Sequence, residues 1–216
     1  DGVRAVMFTP HFYYERMGLD SFAENRKAAY SIAVKACQRE GIRVAAKCGA
    51  EVHFTPALPF LDLSTLCFAG THYILVELPT NVHPAGIEET LYSILQRGYT
   101  PILAHVERFP YVSENPALLY NWVSMGCLAQ VNANAFLRGG ETAKAVHRYV
   151  KWNLVHLMAS DAHSIKRRPP NLKDGHAVLP TDLSEYFMRN GEAVFFDREP
   201  SLPEPIEPKK LFGLWK

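Results

Sequence analysis

YILVELPTNVHPAGIEETLYSILQRGYTPILAH, from Tyr73 to His105, is the stretch that decides the fold. It opens with an apolar, β-branched run, Tyr73 to Leu78, passes through a segment of helical period, Ile87 to Arg97, and closes with a second apolar run, Pro101 to His105. Gly98 follows the helical segment, where a helix C-terminus favours a residue tolerant of positive φ. Strand, helix and strand at these lengths predict two parallel strands joined by a right-handed crossover.

The same rhythm extends outward in both directions. Strands are predicted at Val3 to Phe8 and Arg43 to Lys47 on one side, and at Leu128 to Val131 and Val155 to Ala159 on the other. Helices are predicted at Phe22 to Glu40, Ala117 to Met125 and Thr142 to Trp152, with Gly41 and Gly126 closing the first two. The repetition predicts an α/β fold built on a parallel sheet. The connection from Glu51 to His72 breaks the pattern with Pro56, Pro59 and the apolar group Leu58, Phe60, Leu61, Leu63 and Leu66, and reads as a short irregular lid or helix. Four prolines among acids between Glu199 and Pro208 read as an extended arm. Lys209, Lys210 and an apolar tip, Leu211, Phe212, Leu214 and Trp215, follow it and suit docking on the domain or on a partner.

Composition bounds what such a fold is for. The 216 residues fit one large domain better than two catalytic ones, and 48% hydrophobic against 21% charged residues supply a sizeable core. Lysine plus arginine (23) nearly equals aspartate plus glutamate (22), which argues against a sequence-independent grip on nucleic acid or on an anionic membrane. The longest uncharged stretch, Asn115 to Leu137, is interrupted by Pro116, Asn121, Gly126, Gln130, Asn132 and Asn134, so no membrane insertion is expected. Cys37, Cys48, Cys67 and Cys127 form no C-x-x-C pair, which fits free thiols in a reducing, cytoplasmic setting. The chain begins at Asp1 rather than a methionine, so it is expected to start partway through something longer.

The chemistry is written where the strands end. His11 closes the first run, Glu51 and His53 the second, Glu77 the third, His105, Glu107 and Arg108 the fourth, Gln130 and Asn132 the fifth, and Asp161 and His163 the last. In parallel α/β folds the C-terminal strand ends share one edge, so these distant residues are expected to converge. Glu51 with His53, His105 with Glu107, and Asp161 with His163 are each two apart, a spacing that faces side chains the same way on a strand. Imidazole mixed with carboxylate suits zinc, manganese or iron better than calcium. Two such ions polarise a phosphoester and lower the pKa of a bridging water. Arg108, and Arg168 in a basic loop stiffened by Pro169 and Pro170, offer guanidinium forks for phosphate, with surface ion pairing as the bland alternative. A single histidine after a strand is ordinary, and His72, His83, His147, His156 and His176 are read as such. Cys37 and Arg43 have the spacing of a thiol phosphatase loop. However, Cys37 lies late on a helix, the reverse of the strand, loop, helix order that aims helix N-termini at phosphate, and Glu40 would repel a dianion. No G-x-G-x-x-G follows a strand and no phosphate-loop motif occurs.

Five motifs in order, TPHF at Thr9 to Phe12, GAEVHF at Gly49 to Phe54, VELP at Val76 to Pro79, AHVERF at Ala104 to Phe109 and SDAHSIKRRPP at Ser160 to Pro170, resemble the PHP-domain protein-tyrosine phosphatases of the CpsB/CapC type. The likeness runs to about Asp197. It implies a distorted (β/α)₇ PHP-type barrel over residues 1–198, with 199–216 as the proline-rich arm. It also implies two or three divalent ions, manganese foremost with iron or zinc as alternatives, and an attacking water that they activate. By position it implies His11, Glu51, Glu77, His105, Asp161 and His163 as metal ligands, with Arg108 and Arg168 on the phosphate. The implied substrate is a phosphotyrosine protein, the tail of a bacterial tyrosine autokinase in capsule or exopolysaccharide synthesis. Family members open with a strand carrying an H-x-H metal pair and a helix. This chain starts after both, so its first βα unit is expected to be missing. Two rival readings keep the same residues: a PHP phosphoesterase acting on a small ester such as histidinol phosphate, and a catalytically dead phosphopeptide-binding module.

Overall fold

In the computed structural model, which describes residues 2–211 and 214–215, every predicted apolar run contains a strand. The first run is split: β1 (Ala5–Phe8) is followed, after Thr9 and Pro10, by β2 (His11–Phe12). Helix α1 (Leu19–Arg39) then leads to a second split strand, β3 (Ala45–Cys48) and β4 (Glu51–His53), interrupted at Gly49 and Ala50. The two breaks face each other and the register runs on through them, with Ala5 opposite Ala45, Phe8 opposite Cys48 and His11 opposite Glu51. The Gly49 N–H donates to the Phe8 carbonyl and the Glu51 N–H to the Pro10 carbonyl, so the kinked strands stay laddered.

The chain continues through α2 (Leu63–Leu66), β5 (Tyr73–Glu77), α3 (Ile87–Gln96), β6 (Thr100–Leu103), α4 (Pro110–Glu114) and α5 (Ala117–Met125). Next come β7 (Leu128–Asn132), α6 (Asn134–Leu137), α7 (Gly140–Lys151), β8 (Leu157–Ala159), α8 (Leu172–Ala177), α9 (Thr181–Phe195) and a small antiparallel pair, β9 (Lys210–Leu211) with β10 (Leu214–Trp215). The main sheet is parallel throughout, in the order β2-β4-β5-β6-β7-β8, with β1 and β3 as parallel extensions. This is an α/β fold whose strands pair in sequence order. Without a reversal of order there is no switch-point crevice, and the strand ends line one edge.

Helices cover the sheet through apolar stripes. Ile87, Thr90, Leu91 and Ile94 of α3 are buried at helical spacing, and Gly98 past its end has φ 79°, as the C-cap reading requires. All five residues of β7 are buried, so its Gln130 and Asn132 are taken inside with it. Trp122, Tyr73 and Tyr149 are the largest fully buried side chains.

Three points lie beyond the sequence reading or narrow its alternatives. Of the two readings of the segment after β4, the helix holds and the lid does not: Leu58–Phe60 is a 3₁₀ turn and Leu63–Leu66 is α2. Leu58, Leu63 and Leu66 are fully buried in the core, and Arg97 donates to the carbonyls of Pro59 and Leu61, while Phe60 alone of the group is strongly exposed. Helix α9, absent from the sequence reading, follows the last strand and buries Phe187, Asn190 and Val194, a stripe diluted by polar residues. The arm is held by the domain. The Ile206 N–H donates to the Trp152 carbonyl, Asn153 Nδ2 to the Glu204 carbonyl, and Trp215 Nε1 to the Glu114 carbonyl. Phe212 of the expected apolar tip lies outside the described residues. No helix among the described residues is long and apolar enough to cross a membrane.

Gly49 is where the second strand kinks against the core. A Cβ there would sit 2.5 Å from Phe68 Cδ1 and 3.2 Å from its Cα, whereas one at Gly191 on α9 meets nothing within 4 Å. Gly49→Ala should therefore destabilise by about 1–3 kcal/mol through overpacking. Gly191→Ala should be neutral or slightly stabilising. Thermal unfolding of the two variants checks this, and a Gly49→Ala protein melting like wild type would refute the tight seating.

Candidate active site

Neighbouring strands bring the first half of the site together. β2, β4 and β5 pair so that His11 lies opposite Glu51 and His53 opposite Glu77. His105 enters from just beyond β6. Its Nε2 lies 2.9 Å from Glu51 Oε1 and 3.3 Å from Glu77 Oε1, almost wholly out of water. His11 Nδ1 lies 3.7 Å from Glu51 Oε2, and His53 Nδ1 lies 3.5 Å from Glu77 Oε2. His11, Glu51 and Glu77 each offer a ligand atom within 4.8 Å of the others.

Burial by itself lowers the His105 imidazole, but the hydrogen bonds and charges of Glu51 and Glu77 outweigh it and hold the ring at about 9. The His105 hydrogen bond in turn pulls Glu77 down to about 2 against its own burial. Nδ1 of His53, Nδ1 of His105 and Oε2 of Glu107 are buried without a hydrogen-bond partner. Orphaned buried donors and acceptors are costly, and a mixed nitrogen and oxygen set around two carboxylates fits a divalent transition metal.

The second half lies beyond β8. Asp161 Oδ2 accepts from Arg168 and from Asn132 Nδ2 at 3.0 Å, with Arg108 at 3.7 Å. His163 Nδ1 lies 3.3 Å from Asp161 Oδ1, and the His163 ring lies 5.5 Å from that of His11, so the loop beyond β8 reaches the end of β2. Asp161 and His163 are not part of the tight three-residue cluster. Arg108, Arg168, Asp161, Asn132, Glu107 and Arg138 line a cavity of about 860 Å³. The Arg168 loop closes on itself, its carbonyl accepting from the N–H groups of His163 and Ser164 while Ser164 Oγ accepts from its own N–H.

All eight residues singled out from the sequence therefore border one region, but strand alternation explains only part of it. Glu51 and His53 do lie on a strand. His105 and Asp161 are past their strand ends in left-handed backbone, φ 35° and 50°, and Val106–Arg108 is a 3₁₀ turn, so the two-residue spacing of the other pairs does not act through a pleat. Ser160, beside Asp161, also lines the cavity. Gln130 and Asn132 do not project as free ligands and hydrogen-bond across the sheet instead. Their signal was two amides alternating within an apolar strand. Glu107 is deeper than expected, and burial raises its carboxyl to about 7. His156 is a core residue whose Nδ1 accepts the Ala129 N–H, and burial lowers its pKa to about 4.

A family model described as capsular polysaccharide synthesis, CpsB/CapC, matches residues 1–196. The tyrosine-protein phosphatase YwqE of Bacillus subtilis is 32% identical, over 99% of this chain and 87% of its own. The tyrosine-protein phosphatase CpsB of Streptococcus pneumoniae is 26% identical, over 91% and 82%. A crystal structure reported for YwqE and CpsB as unique metal-dependent tyrosine phosphatases superposes with a TM-score of 0.85 at 26% identity, covering 97% of this chain and 87% of that one. A chain of an archaeal ribonuclease P complex shares the fold alone, with a TM-score of 0.56 at 15% identity.

The Glu51, His105 and Glu77 arrangement predicts a pH signature. With its folded value raised to about 9 from 6.5, His105 contributes stability that is complete below about pH 6.5 and is lost as pH rises through about 9. Chelator-treated protein should lose unfolding temperature across that window, and His105→Gln should flatten the decline. A pH-independent wild-type melt between 6.5 and 9 would contradict the buried imidazolium.

Proposed function

The chain belongs to the CpsB/CapC family of capsular polysaccharide synthesis, and on that premise we propose that it is a metal-dependent protein-tyrosine phosphatase acting at the strand-end site. The observation that carries this reading is the meeting, at one sheet edge, of a buried imidazole and carboxylate cluster with two arginines lining a cavity. We assign His11, Glu51, Glu77, His105, Asp161 and His163 as ligands of two or three divalent ions. Manganese is the first candidate, with iron or zinc compatible with the donors. The (β/α)₇ barrel is supported by strand pairing in sequence order and by the approach of the His11 and His163 rings.

Bound divalent ions supply Lewis acidity to the phosphate and lower the pKa of the attacking water. Everything else falls to the chain. Arg108 and Arg168 share the Asp161 carboxylate, and a phosphate dianion entering the cavity offers both guanidinium groups a stronger acceptor. Held there, the ester exchanges its bond to the tyrosine oxygen for one to the water oxygen, the phenolate leaving with the bonding electrons and taking a proton. The arginines stabilise the charge that accumulates on the phosphoryl oxygens during that exchange. Thiol chemistry has no comparable setting: Cys37 sits near the end of α1, and burial pushes the Cys67 and Cys127 thiols up to about 12. The substrate we propose is the phosphotyrosine tail of a tyrosine autokinase governing polysaccharide export in the cytoplasm, with residues 1–198 as the catalytic domain and 199–216 as its arm.

Two outcomes test the assignment. Chelation should abolish hydrolysis of a phosphotyrosine peptide, divalent manganese should restore it, and Cys37→Ser should leave it unchanged. Loss of activity in a folded Cys37→Ser protein would overturn the metal mechanism. Arg108→Ala and Arg168→Ala should each lower kcat/KM by roughly tenfold to a hundredfold, the worth of a charge-assisted hydrogen bond, with metal content unaltered. Wild-type kinetics in both variants would remove the phosphate clamp.

A further inference from the structure

Between the two halves of the site runs a chain of hydrogen bonds. The His105 backbone N–H donates to Gln130 Oε1 at 3.0 Å, Gln130 Nε2 to Asn132 Oδ1 at 3.0 Å, and Asn132 Nδ2 to Asp161 Oδ2 at 3.0 Å. Both amides are nine-tenths or more buried. A backbone N–H only donates and an ionised carboxylate only accepts, so the two ends demand the same polarity from the amides between them. The Asn132 N–H adds a lateral tie, donating to Glu107 Oε1 at 3.2 Å. The relay starts and finishes on His105 and Asp161, which hold left-handed φ values that non-glycine residues adopt at a cost.

We propose that Gln130 and Asn132 are positioning residues for the phosphatase reaction: an amide relay that sets the Asp161 carboxylate against the His105 turn and so fixes the arginine side of the site relative to the metal side. Asn132 occupies Asp161 Oδ2 beside Arg168, which leaves Oδ1 directed toward His163. Gln130 touches neither Asp161 nor the arginines in any hydrogen bond given by the structure, and acts only by dictating which end of the Asn132 amide faces the carboxylate. The inference rests on the phosphatase reading for its kinetic consequence and on geometry alone for the relay itself.

The test uses Asn132→Ala, Gln130→Glu and the double variant in the full chain with manganese, assayed on p-nitrophenyl phosphate. A carboxylate at position 130 still accepts the His105 N–H but cannot donate to Asn132, so the Asn132 amide turns its oxygen toward Asp161. Each single variant should lose roughly tenfold or more in kcat while KM stays within about threefold. Asn132→Ala should unfold within a few degrees of wild type, and Gln130→Glu, which buries a carboxylate, should unfold lower but remain folded at the assay temperature. Because the two substitutions break one relay, the double variant should lose markedly less than the product of the single losses. Wild-type kcat in either single variant, or losses that multiply, would overturn the relay. If the wild-type protein turns over no aryl phosphate with any divalent cation, the phosphatase reading fails separately. Hydrogen exchange at the His105 amide then decides: roughly tenfold faster exchange in Asn132→Ala supports the relay, and unchanged exchange refutes it.

Discussion

Two carboxylates on adjacent strands, both withdrawn from water, cannot stand together without positive charge between them, and this constraint organises the molecule. Glu51 and Glu77 project from paired parallel strands, and the imidazole of His105, from the next strand over, fills the gap between them. In water the pair would be inexpensive; in the interior each charge loses hydration that only a close counter-charge replaces. A proton on His105 satisfies the cluster, and the divalent cation that we propose would do so in its place. The short His105 contacts to Glu51 and Glu77 push the imidazole up and the Glu77 carboxyl down. The sheet around them exists to keep that geometry.

Much of this was legible because parallel sheets leave a clear trace. Apolar runs punctuated by glycine announced the strands and helices, and polar residues placed after each run announced the functional edge. What stayed hidden depends on three-dimensional circumstance. The breaks at Thr9 and Pro10 and at Gly49 and Ala50 divide strands that look continuous by composition, because a kink shared by two partners has no periodic signature. The left-handed turns at His105 and Asp161 use residue types that any strand end carries. Gln130 and Asn132 read only as polar groups closing the fifth strand, since an amide at a strand end declares its polarity but not its partner. Helix α9 escaped notice because Asn190, buried where an apolar residue is expected, spends its amide on the His156 carbonyl.

The halves of the site differ in character. Around His105 the groups are buried and their partners are neighbours in the ladder. Around Asp161 they come from loops, and both arginines keep about two-fifths of their side-chain surface exposed. On the proposed reading, a buried charge cluster beside a more exposed cationic rim would separate two tasks, holding an ion and admitting an anion. The bulky aromatic ester that we propose as substrate would meet the rim first, and the 860 Å³ cavity there is wide enough for a side chain still attached to its peptide.

Pairing in sequence order has a consequence for how the chain assembles. Each strand finds its partner in the unit just before it, so the sheet can lengthen one βα unit at a time as residues leave the ribosome, without waiting for a distant segment. Contacts with much later residues occur at both ends of the strands: at the functional edge the His163 ring lies 5.5 Å from that of His11, and a second group lies at the strands' starting ends. There the Asp197 carboxylate accepts the His72 N–H, the Tyr73 hydroxyl reaches the Arg198 carbonyl, and the Ile206 N–H reaches the Trp152 carbonyl. These ties join β5 and the approach to β8 to residues made more than fifty positions later. Vectorial synthesis would thus lengthen the sheet progressively and leave both of its ends to be sealed by late, long-range contacts.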